Sequence, residues 1–468
     1  MDPALSRFTM GSAEKLALAS VPSWVRVALI GMACVALSSG FKPWAAAIAG
    51  ALFPADLAAD AAAAHLFVQG ISPYGPVIRQ THVDITGLPF TSTLPYFPHP
   101  PFSLMVGLPM AFMSFQAAAL LWFAVTMALV FALAVLLHKA GPVGPRGGTT
   151  GVAQLWLLLL AWPPVLYNLE KGQWSVLVAF LLALAWRAVR LGNIRNAAIW
   201  AAVAASVKVF PVVLGAYFLL RSPRAAQWFV ATGIVLLGVP LMWIGLEAFP
   251  SFVGESRLNL PYWESFPLVM FSIHGAITRA LVGGQWAEPF VYAPVAARVI
   301  EGTLLGTLFG SAVWTTVQAR RGKVDHSLAF LAWLVLLPML NPLGLGHNGV
   351  LLALPIVVVG RTLAVVGRDW HRWAWAVSLV LVSIPKQTVW SYTALPIGPI
   401  EGLAIAALPT WGTLLLFLVT VTVSREAGAA GGGVSIHSRS GKIDPPRHQD
   451  ERFSRQLRLA RATGMSHV

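Results

Sequence analysis

Cysteine and charge are what this sequence most lacks. A single cysteine, Cys34, stands among 468 residues, which excludes an internal disulfide and any cysteine-based metal site. Only 11% of the residues are charged, against about 25% in an ordinary soluble domain, so the soluble class is excluded as well. No HExxH, Walker loop, GxSxG or dinucleotide fingerprint occurs, and the histidines have no metal-site spacing. Neither a cofactor nor a metal is therefore expected.

What the chain has instead is apolar length. Hydrophobic residues make up 57% of it, and runs such as ALLWFAVTMALVFALAVLL (119–137), FVATGIVLLGVPLMWIGL (229–246) and LAIAALPTWGTLLLFLVTVTV (403–423) reach or approach one membrane crossing. The formal charge of +14 would suggest nucleic acid in a soluble protein. Here, however, the basic residues fall in short loops between apolar runs and in the C-terminal tail, which is the positive-inside signature. Nucleic acid is accordingly not an expected partner; membrane lipids are. The rule assigns Lys139, Arg187, Arg190, Arg195, Arg221, Arg224, Arg320, Arg361 and both tails to the cytoplasm.

The expected fold is all-α and integral to the membrane, with about twelve transmembrane helices. Residues 1–23 read as a cytoplasmic N-terminus, 24–423 as the polytopic domain and 424–468 as a disordered basic tail. A retained helix at 24–40 is followed by a long first non-cytoplasmic loop, 41–100, whose Ala-rich piece after Asp56 favours helix and whose YFPHPPF end forbids it. The stretch 102–138 reads as one broken helix or a tight hairpin. Two segment pairs follow, 152–168 with 174–190 and 197–207 with 209–220, turning at NLEKGQ (168–173) and at Lys208.

Ionisable groups at membrane depth are costly, so those that persist are functional candidates. Asp56 and Asp60 are spaced to share one helix face, where a carboxylate pair can raise one pKa towards that of a general base. Alternatively, Asp56 supplies negative charge to a helix N-terminus. Lys208 lies among apolar residues and either snorkels or binds a buried anion. Glu170 and Gln173 sit at a hairpin tip, in a plain turn or at a site. His347 either hydrogen-bonds a sugar or phosphate or ends a helix. His99 lies between prolines, and His274, Arg279 and Arg257 are candidates to meet a phosphate.

Several fragments, taken in order, resemble the integral-membrane GT-C glycosyltransferases of family 87, which include polyprenol-phosphate-mannose-dependent alpha-1,2-mannosyltransferases acting on phosphatidylinositol mannosides. DLAADAAAAHLFVQGISPY (56–74) resembles the family's first outer loop, and YFPHPPFSLMVGLP its Tyr-Pro-Pro helix start. The stretch 168–224 resembles its Gly-Gln turn, helix, basic loop, helix, Lys and Pro, and SIHGAITRAL with the His347 region extends the likeness. Two departures stand out: Ser175 where the family often has Asn, and Val209 and Phe210 between Lys208 and Pro211.

The resemblance implies an inverting transferase that moves a sugar, mannose by family, from a polyprenyl-phosphate donor to a glycolipid or glycan acceptor at the outer face of a bacterial cytoplasmic membrane. It places the catalytic base on Asp56, whose fourteen-residue distance to Gly70 fits. Lys208, His347, Arg257 and Arg279 are then available to the donor phosphate, and Asp60, Gln173, Glu170, His99 and His274 to the substrates. A lipid or glycolipid transporter is the rival reading. It would tend to show inverted repeats, and the sequence has no repeat of fixed period.

Overall fold

The computed structural model describes residues 54–87, 99–140, 149–258, 266, 271–366, 368–385 and 396–431. Contacts divide the chain into Met1–Ala429 and Ala430–Val468, and the core and the candidate site belong to the first unit. The expected helix at 24–40 and the tail beyond 431 lie outside the described residues, which are helical apart from turns, loops and two isolated β-bridges.

Helix α1 (Ala55–Val68) opens behind Pro54 and is rich in alanine, the best helix former. It closes in a Schellman turn: Gly70 takes φ 72°, and the amides of Gly70 and Ile71 donate to the carbonyls of Phe67 and Leu66. The fourteen-residue distance from Asp56 to Gly70 is thus the length of one helix, with an acid in its first turn and a left-handed glycine past its end. At about 21 Å it is too short to span a bilayer. Helix α2 (Val77–Thr86) completes the described part of the first loop.

The stretch 102–138 is two pieces. Helix α3 (Pro101–Gly107) runs into a 3-10 turn (Leu108–Phe112). The chain extends at Met113, and Ser114 then caps α4 (Phe115–His138) by accepting from the Ala117 amide at 3.4 Å. Helices α5 (Thr149–Ala161) and α6 (Pro163–Lys171) form one apolar path bent by 64° at Trp162 and Pro163. Left-handed Gly172 turns the chain into α7 (Ser175–Arg190), so the tip expected at 168–173 is present.

Helix α8 (Ile194–Val207) stops at Lys208, whose backbone is extended at φ −138° and ψ 132°. Pro211, which has no amide to donate, forbids its continuation, and a 3-10 turn (Phe210–Val213) leads into α9 (Leu214–Arg221). At the start of α10 (Pro223–Ile244), Trp228 lies under the Arg195 guanidinium at 4.0 Å. The beginnings of α8 and α10 are therefore neighbours, and Lys208 is the far tip of a hairpin.

Beyond α11 (Ala248–Leu258) come α12 (Ile273–Leu281), α13 (Pro294–Arg320) and α14 (His326–Leu340). Helix α14 is apolar all round and buried almost throughout, so it forms the centre of the core. A 3-10 turn (Gly346–Leu352) leads into α15 (Ala353–Val366), followed by α16 (Asp369–Val382) and α17 (Leu408–Gly431).

Among the described residues, four helices are long and apolar enough to cross a membrane, or five if the bent pair counts as one span. That is fewer than the twelve or so expected from apolar runs. Part of the difference lies in short apolar helices: the stretches 101–112, 194–207, 210–221 and 326–340 each end after less than a bilayer's length.

Candidate active site

Three elements meet where α1 begins. The α6/α7 tip approaches so closely that a Cβ on Gly172 would lie 2.6 Å from the Leu57 Cβ and 3.1 Å from that of Pro54. Glycine at 172 answers two demands, the positive φ and the contact. The next residue, Gln173, donates from Nε2 to the Asp56 Oδ2 at 2.6 Å. Its Oε1 accepts from the Lys208 Nζ at 2.6 Å. Chemistry fixes the orientation of this amide, because a carboxylate only accepts and an ammonium only donates.

The line continues inward. Lys208 also donates to the Ser175 Oγ at 3.0 Å, and that hydroxyl donates to the Asn348 Oδ1 at 3.1 Å. The Asn348 Nδ2 donates to the Leu343 carbonyl, and Asn168 accepts from the Val176 amide, which steadies the tip. Gln173, Ser175, Lys208 and Asn348 are buried, whereas Asp56 is half-buried at the outer end. The result is a carboxyl group at a mouth and a buried lysine amine behind it, one amide apart. Asp56 stands in the first turn of α1, where the helix dipole favours its charge, yet its side chain is held by the tip opposite.

Asp60 lies one turn further along α1, deeply buried, with Trp174 and His99 for neighbours. His99 Nε2 is 3.7 Å from Oδ1, too far for a hydrogen bond, and neither carboxyl oxygen meets a donor in good geometry. Burial and then the Asp56 charge push the Asp60 carboxyl well above its usual range, outweighing Lys208 and the Trp174 indole. Burial and then Lys208 push His99 well below its own. Burial thus works against charge on both partners of a pair whose separation falls within ion-pair distance. Tyr74 donates to the His99 carbonyl at 2.8 Å and holds this loop in place.

Of the other residues singled out by sequence, His347 is buried in the 3-10 turn before Asn348, with its ring 5.7 Å from that of Tyr167. Asp56 and Glu170 both act electrostatically on Tyr167, which places Glu170 near the mouth. His274 faces Glu301 at 2.9 Å, and Arg279, wholly buried, donates to the carbonyls of Gly402 and Phe266. The His274 and Arg279 hydrogen bonds named here do not join the Asp56 line. The side chain of Arg257 lies outside the described residues. Sequence reasoning passed over Ser175 and Asn348 as site residues. Their signals were faint: Ser175 stood as a departure from a pattern, and Asn348 as the neighbour of a histidine.

Comparison with known proteins gives a consistent picture. Polyprenol-phosphate-mannose-dependent alpha-(1-2)-phosphatidylinositol pentamannoside mannosyltransferase of Mycobacterium tuberculosis is 30% identical over 51% of this chain and 55% of its own length. The chain thus spans just over half of that relative. The protein of the same description from Mycolicibacterium smegmatis is 25% identical over 76% of this chain and 74% of its own. No solved structure matches. The resemblance carried by the ordered motifs is borne out by the family comparison: residues 97–328, which hold Gln173, Ser175 and Lys208, match the model of Glycosyltransferase family 87.

Proposed function

We propose that this chain is an inverting glycosyltransferase that moves mannose from a polyprenyl-phosphate donor to a phosphatidylinositol-based glycolipid at the outer face of the cytoplasmic membrane. The observation that carries the reading is the line from Asp56 through Gln173 to Lys208, with both links at 2.6 Å. Family and relatives supply the donor and acceptor classes. The basic ends support the sidedness. Arg190 and Arg361 meet the end of α4, Arg195 the start of α10 and Arg320 the end of α9, all at the far end of the hairpins from Gln173 and Lys208. A multi-pass architecture with more spans than the described helices supply belongs to the same proposal.

The reaction follows from the arrangement. Gln173 holds Asp56 by Oδ2 and leaves Oδ1 to take the proton of the acceptor hydroxyl. As that oxygen bonds to the anomeric carbon from the face opposite the phosphate, the bond from carbon to phosphate oxygen breaks. Its electron pair leaves with the polyprenyl phosphate, and the anomeric centre inverts. Lys208 gives two N–H donors to Gln173 and Ser175, and its ammonium form has a third to offer a phosphate oxygen, whose negative charge favours that form. Burial disfavours the charged form of Asp60, so the half-buried mouth residue Asp56 is the better placed of the two carboxylates to act as base.

The test is transfer by purified protein in nanodiscs, with radiolabelled polyprenyl-phosphate mannose and a panel of glycolipid acceptors, beside a folded Asp56→Asn variant. Transfer that Asp56→Asn abolishes supports the proposal. Transfer that survives moves the base elsewhere, and silence of the native protein across several lipid-linked sugars favours the transporter reading.

A further inference from the structure

We propose that the basic end of the bundle holds the phosphate head of an anionic membrane lipid, seated in a cavity between the C-terminal ends of α4 and α7. The cavity measures about 280 Å³ and is two-natured: Leu136, Ala183 and Leu354 make an apolar wall, and Lys139, Arg187 and Arg190 a basic rim beside Trp186. All three cations are exposed. Arg187 lies twelve residues along α7 from Ser175, about 18 Å away, so the cavity is separate from the Asp56 line.

The ordinary reason for cations at such a place is the partial negative charge of helix C-termini. Here that demand is already met. Arg190 donates to the Ala140 carbonyl at 2.7 Å, and Arg361 to those of Leu137 and His138 at 2.8 and 3.0 Å. Arg190 and Arg361 are close enough to repel each other electrostatically. Among the described residues, no hydrogen bond or ion pair engages the side chains of Lys139 and Arg187, which add two further positive charges beside that pair. A bound phosphate ester would relieve the repulsion and accept charge-assisted hydrogen bonds from the rim.

Two features favour a lipid over a free anion. The inner wall is apolar and suits the glycerol or first methylenes of a chain rather than water. Helix α4 also turns Leu120, Leu121, Val125 and Phe131 outward, an exposed apolar path for the rest of the tail that leads to Lys139. Basic pockets between membrane helices on the cytoplasmic side bind anionic head groups on the same physical grounds. The inference does not depend on glycosyl transfer.

The experiment is thermal unfolding of the purified full-length protein in neutral detergent, titrated separately with phosphatidylglycerol, phosphatidylcholine and inorganic phosphate. Phosphatidylglycerol is expected to raise the midpoint saturably, phosphatidylcholine to leave it unmoved, and inorganic phosphate to act only at far higher concentration. Lys139→Gln with Arg187→Gln should weaken the phosphatidylglycerol response about thirtyfold without moving the lipid-free midpoint. Should the double variant not fold, the exposed Arg187→Gln alone carries the same readout. Leu354→Trp, which fills the inner wall and keeps every charge, should abolish the response. Equal responses to both lipids, or an unchanged phosphatidylglycerol response in the charge variants, would overturn the proposal. Inorganic phosphate as effective as the lipid at equal concentration would replace it with a simple anion site.

Discussion

Replacing Gly172 by alanine tests whether contact between the α6/α7 tip and α1 sets the geometry of the candidate site. The added Cβ would stand 2.6 Å from the Leu57 Cβ, where carbon atoms need about 3.5–4.0 Å, so tip and helix must part by about 1 Å. The left-handed backbone, φ 72°, costs a non-glycine residue a further ~1–2 kcal/mol. Parting by that amount stretches the 2.6 Å Gln173 to Asp56 bond beyond hydrogen-bond range. Losing a charge-assisted bond at a half-buried carboxylate costs about 1.5–3 kcal/mol before solvent compensates. The expected total is about 3–4 kcal/mol of stability, read as a lowered unfolding midpoint in detergent. Mannosyl transfer, if that is the reaction, should fall about a hundredfold, the usual effect of a 1 Å misplacement. Gly172→Asn separates the two causes, since asparagine tolerates the positive φ but brings the same Cβ. Native stability and native transfer in Gly172→Ala would refute the reasoning, and a harmless Gly172→Asn would assign the effect to backbone strain alone.

Lys208→Met should remove the cation behind Gln173 and lower transfer by about a hundredfold or more, with Lys208→Arg recovering little because the longer planar group does not fit two acceptors set for an ammonium. Ser175→Ala breaks the link between Lys208 and Asn348 and should cost about 1–3 kcal/mol in the midpoint. Asp60 has a folded-state pKa raised above its unfolded value, so the stability it contributes is complete below the unfolded pKa and is lost as pH rises through the folded one. Asp60→Asn, which keeps the shape and removes the titration, should therefore flatten the fall in unfolding midpoint above about pH 4, and an identical pH profile would contradict a raised Asp60 pKa. Trp243→Phe deletes the 2.6 Å bond to the Phe67 carbonyl and should loosen the C-terminal end of α1, seen as faster amide exchange at Gly70 and Ile71.

Much of the candidate site was legible because its residues violate the chemistry of their surroundings. Lys208 amid valine and phenylalanine, and an acid opening an alanine-rich segment, are costly in an apolar chain and were singled out for that reason. Gln173 was noticed as a polar tip residue and expected to touch substrate; the structure uses both ends of its amide internally. Arg279 and His274 are equally anomalous by composition, yet they are held by Gly402, Phe266 and Glu301. An ionisable residue in an apolar chain announces that it must be paired, and it does not say with what.

The sequence by itself determined the helical, apolar class, the turn at Gly172 and the break before Pro211, and it singled out Asp56 and Lys208 as candidates, with Asp56 as base only by family resemblance. Each follows from local physics: apolar length, the positive φ that glycine permits, the amide that proline lacks, and the cost of charge in lipid. Tertiary structure alone decided that residues 56, 173, 208, 175 and 348 form one hydrogen-bonded line, and that Asp60 and His99 face each other where burial disfavours charge on both. It also decided that runs of suitable composition stop short of a full crossing. Hydrogen-bond partners far apart in sequence are chosen by packing, and desolvation depends on what surrounds a group in space, so neither can be read from its neighbours along the chain.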